Sequence, residues 1–289
     1  LIYLILSILC SSAIFLIFRS FKQYKVHTYT AIVINYLTAG CIGFLMNFQE
    51  ISALSLLDQH WLPYALLLGS IFIFLFNIMA ITTQKLGASV GSIANKMALI
   101  IPVIFAIIYY NDQITFLKVL GIFFALAGIL LSTLKPKTLD RSYHKSDLLY
   151  PLILFLGSGF IDTYMKFVET KLLTNSLEFQ LFSSATFSTA FIIGAIIMLI
   201  DKKRRIIKLN NFVAGSVLGS INFCSIYFLL EAFRRSKLES SVIFPLNNVG
   251  VVILTVFFSA MLFKERFNLM NKTGILLSII AVILIALGQ

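Results

Sequence analysis

Lys96 stands eight residues into an apolar run that opens at Ala88, roughly 12 Å along a helix rising 1.5 Å per residue. Ser89, Ser92 and Lys96 share a face at i, i+3 and i+7, with Asn95 beside them. A charge at mid-helix in a membrane costs about 2.5–3.5 kcal/mol on insertion scales and is tolerated where it faces a bundle interior or a watery cavity. A cation on a polar stripe suits a carboxylate or phosphate ligand. The alternative is a lysine paired with an internal acid such as Asp162, without ligand contact.

A second polar face lies in a later run, where Ser241, Asn248, Thr255 and Ser259 recur at seven- and four-residue steps, with Asn247 adjacent. Pro245 frees a backbone carbonyl one turn earlier, a group able to bind a polar ligand or a coupling ion. Hydrogen bonding between helices is the competing use of these side chains. Ser158, Asp162 and Lys166 fall at i, i+4 and i+8, and the last two have the spacing of a helix ion pair. A proton-coupling role for Asp162 would need a pKa raised by burial. Ser216, Ser220, Cys224, Tyr227 and Glu231 form another stripe; Glu231, near a helix end, is expected to be solvated or paired with Arg234 or Arg235. Asn77, Tyr164, Asn222 and Asn35 are weaker candidates. The substrate-binding set is therefore Lys96, Asn95, Ser89, Ser92, Asn248, Asn247, Asp162, Tyr227 and Asn77.

Enzyme chemistry finds no support in the pattern. His27, His60 and His144 are scattered among the polar breaks, and no HExxH, GxSxG or Walker A sequence occurs. Cys10, Cys41 and Cys224 sit singly in apolar runs and read as small buried hydrophobes. Neither a metal nor a cofactor is expected.

The elements that position these residues follow from composition. Of 289 residues, 59% are hydrophobic and 12% charged, against about 45–50% and 25% in a soluble domain. The apolar residues come in runs long enough to cross roughly 30 Å of hydrocarbon. Ten spans are predicted: Ile2–Phe18, Tyr29–Phe48, Trp61–Thr82, Ala88–Tyr110, Thr115–Leu134, Leu148–Phe167, Phe179–Ile200, Phe212–Phe233, Ser240–Phe263 and Met270–Gly288. The runs lack the alternation of barrel strands, so the reading is an all-α integral membrane protein. No cleavable signal peptide is expected in the first run.

The basic stretch 135–147 divides five spans from five, giving segments 1–134 and 148–289. Leu68-Gly69-Ser70-Ile71 recurs as Leu218-Gly219-Ser220-Ile221, and Lys85–Val90 matches Lys237–Val242. Asp112 and Gly121 correspond to Glu265 and Gly274. Because five is odd, a second copy of the unit must be inserted inverted. The net charge of +11 is carried in the breaks, which points to membrane orientation and away from nucleic acid. Sixteen Lys and Arg follow the odd-numbered spans and five lie on the other side. That bias puts the first group in the cytoplasm and both termini outside. Trp61 and the pair Tyr109/Tyr110 read as interface anchors, the Lys202–Arg205 run as a loop touching lipid headgroups, and Gly69, Gly87, Gly91, Gly121, Gly128, Gly215 and Gly219 as helix-packing positions.

With two related five-span halves and the stretch Asn95-Lys96-Met97-Ala98-Leu99-Ile100-Ile101-Pro102, the chain resembles the EamA-like branch of the drug/metabolite transporter superfamily. The acidic turn followed by a Gly-bearing helix, seen twice, adds to the likeness. The resemblance implies an alternating-access carrier in the plasma (inner) membrane, an exporter or exchanger of a small polar or anionic metabolite, with lipids as its surroundings. It also implies cytoplasmic termini, opposite to the charge bias. Pro102 and Pro245 sit at different depths, so the halves are not chemically symmetric. The other function class is a pore-like or lipid-handling protein without a saturable site. Ten helices can enclose a cavity as a monomer.

Overall fold

In the computed structural model the described residues are 1–47, 58–109, 115–133, 145–201, 204, 206, 208–235 and 240–288. They form α1 (Ile2–Phe21), α2 (Thr28–Met46), α3 (Leu62–Leu86), α4 (Ala88–Met97), α5 (Ile100–Tyr109), α6 (Phe116–Thr133), α7 (Leu149–Lys171), α8 (Ser176–Ile200), α9 (Leu209–Arg235), α10 (Ser240–Phe263) and α11 (Leu269–Leu287). No strand occurs among the described residues. Taking α4 and α5 as one span, nine of the described helices are long and apolar enough to cross a membrane, and Phe116–Ser132 is a shorter apolar tenth. The protein is an all-α, multi-pass membrane protein. Tyr110, Asp112, Lys202, Lys203, Arg205, Lys237, Glu239 and nearly all of the 135–147 stretch lie outside the described residues.

Most helices overrun the apolar runs that predict them. The third extends to Leu86 rather than Thr82, and the sixth to Lys171 rather than Phe167, because polar ends continue the backbone hydrogen bonding into the headgroup zone. The larger departure is in the fourth span. It is not one helix: α4 ends at Met97 and α5 begins at Ile100.

The chain divides into two compact units. The first contains 1–20, 78–160 and 225–289; the second contains 21–77 and 161–224. Each unit thus draws segments from both sides of the 135–147 stretch.

In the first unit, Ile93, Met97, Ile100, Phe155, Val252 and Val282 belong to one buried cluster. Helix α6 packs along α11 and α4 along α10. The α6–α11 seam is close because glycines face it: a Cβ on Gly121 would meet Ile285, and one on Gly128 would collide with Ser278 Oγ. Small residues replace the hydrophobic driving force that lipid does not supply.

The second unit packs α2 on α8. Tyr36 is fully buried, donates its hydroxyl to the Phe72 carbonyl at 2.9 Å and lies 5.4 Å from the Phe76 ring. Trp61 corrects an expectation: it is no interface anchor but is completely buried, edge-on to Phe182 at 5.9 Å, in a cluster with Leu68 and Val168. Its large ring fills the start of α3. Cys41 is likewise not buried; it is exposed, while Cys10 and Cys224 are half-buried. A small thiol can face lipid without penalty. No disulfide forms among these three.

His27 caps α2. Its Nδ1 lies 2.8 Å from Thr30 Oγ1 and accepts from Thr30 N at 3.4 Å, while its own backbone N–H donates to Asn211 Oδ1 at 2.8 Å. Burial, aided by the Arg204 charge, pushes its pKa below the ordinary histidine value. The folded state therefore favours the neutral ring, and the unfolded chain binds the proton more readily. Stability from this cap is present above the ordinary histidine pKa and is lost as pH falls through the lower folded value. Melting temperature should drop more steeply between pH 7.5 and pH 5 in the wild type than in His27→Asn, whose amide caps without titrating. Equal slopes would show that the imidazole does not set this dependence.

Candidate functional site

The break between α4 and α5 is the central local feature. The N–H groups of Ala98 and Leu99 both turn to the Lys96 carbonyl. The carbonyls of Ala94 and Asn95 thereby lose the donors that a continuous helix would give them. Pro102 falls in the first turn of α5, where its missing N–H costs no helical bond; Ile101 N and Val103 N reach back to Ala98 and Leu99 instead. An interrupted helix presents a partially negative end at depth. Lys96, half-buried in that last turn, sits where a cation is favoured by it.

The predicted residues divide sharply by what they touch. Asn95 Nδ2 donates to Ser158 Oγ at 2.8 Å, tying α4 to α7. Ser92 is fully buried and its hydroxyl returns to the Ser89 carbonyl at 3.0 Å. Ser89 donates to Glu265 Oε2 at 2.6 Å, on the connection between α10 and α11. Asn247 Oδ1 accepts from Ser7 at 3.2 Å, and Ser7 is also within 2.9 Å of the Ser225 carbonyl. Asn95, Ser89 and Asn247 are occupied in tying their helices to other segments, and Ser92 turns back on its own helix. Asn248 is buried, 3% exposed, on α10, the helix packed along α4. A buried polar group without a protein partner loses about 1–3 kcal/mol of hydration, which a polar ligand or water would restore. Thr255, two turns on from Asn248, is such a group. Its Oγ1 is buried and unpartnered, and Ser12 lies 3.3 Å from the Val251 carbonyl that a helical threonine hydroxyl commonly uses.

Tyr227, half-buried, packs edge-on to Phe228 at 5.6 Å. Asp162 and Asn77 belong to the second unit. Asp162 is half-buried there, and Asn77 Nδ2 donates to the Ile73 carbonyl of its own helix at 2.7 Å. Lys166 lies 3.3 Å from Glu169, so its ion pair is one turn beyond Asp162. Glu231 is 4% exposed and takes both predicted partners, Arg234 at 2.8 Å and Arg235 at 2.5 Å. Among the described residues no group of three His, Cys, Asp or Glu is placed to hold a metal.

Sequence reasoning did not find Ser7, a lone serine in an apolar run, nor the use made of Glu265. The repeated acidic turn signalled Glu265 but not its partners.

The chain as a whole has counterparts among known proteins. The model of the EamA-like transporter family matches residues 1–134 and 149–287. The chain belongs to the EamA-like transporter family. Its membership places it among membrane transporters of the drug/metabolite transporter superfamily, and the members are transporters rather than enzymes. An uncharacterized protein of Haemophilus influenzae is 26% identical over 285 residues, covering 96% of this chain and 95% of its own. A protein of known crystal structure shares the fold, with a TM-score of 0.60 at 14% identity over 97% of each chain.

Proposed function

We propose that this transporter is an alternating-access carrier of a small polar or anionic metabolite in the plasma (inner) membrane, with Lys96 as its principal anion contact. The observation that carries the reading is Lys96 in the last turn of the interrupted α4, with the buried Asn248, 3% exposed, on the helix packed against it. Lys96 supplies charge at the helix break, and Asn248 supplies a donor and an acceptor. Asn95 and the Ser89 and Ser92 hydroxyls serve as supports of α4, engaged as they are with Ser158, Glu265 and the α4 backbone. Asp162 is a coupling or pairing residue on the other unit.

Segments 1–134 and 148–289 act as two inverted halves. Supporting this, spans in corresponding positions pack in pairs: the second with the seventh (α2 and α8), the fourth with the ninth (α4 and α10), the fifth with the tenth (α6 and α11). Packing of counterparts is the outcome of a pseudo-two-fold relation.

The test is a thermal-shift screen of purified wild type against anionic, zwitterionic, cationic and neutral metabolites. Bound ligand stabilises by mass action, about 2.7 kcal/mol at a hundredfold excess over Kd. Stabilisation by anions or zwitterions is expected, followed by counterflow of the labelled hit. Stabilisation confined to cations would overturn the anion site. Flux without counterflow would indicate a pore.

A further inference from the structure

Glu265 does more than terminate a turn. Helix α10 ends at Phe263 and Lys264 leaves it at φ 53, a left-handed conformation that swings the next residue aside. Glu265 N reaches back to the Ser259 carbonyl at 3.4 Å. Its carboxylate then accepts from Ala88 N at 2.9 Å and from Ser89 Oγ at 2.6 Å, the first two residues of α4. The local N-cap, Gly87, has no side chain to do this. Glycine is required there twice over: its φ is +116, and a Cβ would lie 2.7 Å from Glu265 Oε1. Arg19 Nε lies 3.6 Å from Oε1 of the same carboxylate, and Arg19 Nη1 donates to the Gln84 carbonyl at 2.6 Å and the Thr83 carbonyl at 3.3 Å. One ion pair thus closes both sides of the α3–α4 joint: the anion covers the first N–H groups of α4, the cation the last-turn carbonyls of α3. The α4 so held is ten residues long and carries Asn95 and Lys96 at its other end.

We infer that Glu265 is a positioning residue of the carrier. Its carboxylate is an N-cap supplied from a distant part of the chain, and release of that cap frees α4 to move during transport. The inference rests on the carrier reading for its purpose, but the cap itself is testable without any substrate. Glu265→Gln keeps the shape and removes the charge on which Arg19 and the helix N-terminus act. Hydrogen exchange at the Ala88–Gly91 amides should rise about tenfold, the change expected on losing one charge-assisted hydrogen bond.

A merely structural weakening is separated by sidedness. With Cys10, Cys41 and Cys224 replaced, Ser92→Cys is placed in sealed vesicles and challenged with a membrane-impermeant maleimide from each face. Added Glu265→Gln should accelerate labelling several-fold only from the face that carries Arg19 and Lys85. Acceleration from both faces, or from neither, overturns the proposal. Should Glu265→Gln fail to fold, Ser89→Ala removes one of the same donors without a charge change; unaltered exchange at Ala88 in that variant overturns it equally. Absence of counterflow in the wild type, with exchange in Glu265→Gln raised as expected, would sink the carrier reading and leave the cap standing.

Discussion

Lys96→Met is expected to lower counterflow of an anionic substrate about 10- to 100-fold while leaving the melting temperature of the unliganded protein unchanged or higher. The magnitude is that of a hydrogen bond to a charged group, about 1.5–3 kcal/mol, at tenfold per 1.4 kcal/mol. The direction for stability follows from desolvation: methionine fills the same volume without a charge at membrane depth. The substitution also separates the two uses of Lys96 set out above. If its charge serves the ligand, affinity for anions falls and the fold persists. If it serves an internal acid, removing it strands that acid and the variant expresses poorly. Undiminished transport of anions by a well-folded Lys96→Met protein would eliminate Lys96 as their contact.

Gly274→Val is expected to be severely damaging to the α6–α11 seam. A Cβ at Gly274 would stand 2.5 Å from Ser132 N and 2.9 Å from the Gly128 carbonyl. Both are backbone atoms, so relief requires α6 and α11 to separate. Ordinary helix propensity favours alanine over glycine by about 1 kcal/mol; here the overlap reverses that sign. Overpacking costs about 1–3 kcal/mol, occasionally more, and separation of the seam also strains the bonds from Asn271 Nδ2 to the Leu131 and Ser132 carbonyls, at 3.2 and 3.0 Å. Thermal melts in detergent should show a moderate loss for Gly274→Ala and a severe one for Gly274→Val. Leu276→Ala, at a position 57% exposed on the same helix, is the reference. Equal melting of all three would mean that the seam does not limit stability.

Much of the architecture was readable from the chain. Apolar runs long enough to span, with Lys and Arg in the breaks, leave the backbone one solution in lipid, the helix. Most glycines read as packing positions do face neighbouring helices closely: Gly69 meets Thr186, Gly215 meets Ile34, and Gly128 meets Ser278; Gly87 does not, because it lies at the joint between α3 and α4 at φ +116, against the Glu265 carboxylate. Pairing of Glu231 with Arg234 and Arg235 was legible because all three lie within one turn of one helix. Trp61 was misjudged. Its position at a span end suggested the headgroup zone, and only the packing of Phe182 and Leu68 around it reveals a core residue.

The candidate site separates the two kinds of information most clearly. Periodicity by itself put Ser89, Ser92 and Lys96 on one stripe, because helical geometry depends on neighbours in sequence. It could not say that Ser89 answers to Glu265, Asn247 to Ser7, or Asn95 to Ser158, since those partners are 176, 240 and 63 residues away in the chain. Nor could it say that Thr255, on the same stripe as Asn248, would bury a hydroxyl without a partner. The sequence by itself determined the membrane spans, the helical class and which residue types lie at depth, because these depend on the cost of taking local groups out of water. Only the tertiary structure decided which polar groups are satisfied within the protein and by which partner, because a hydrogen bond is fixed by the position of its second atom.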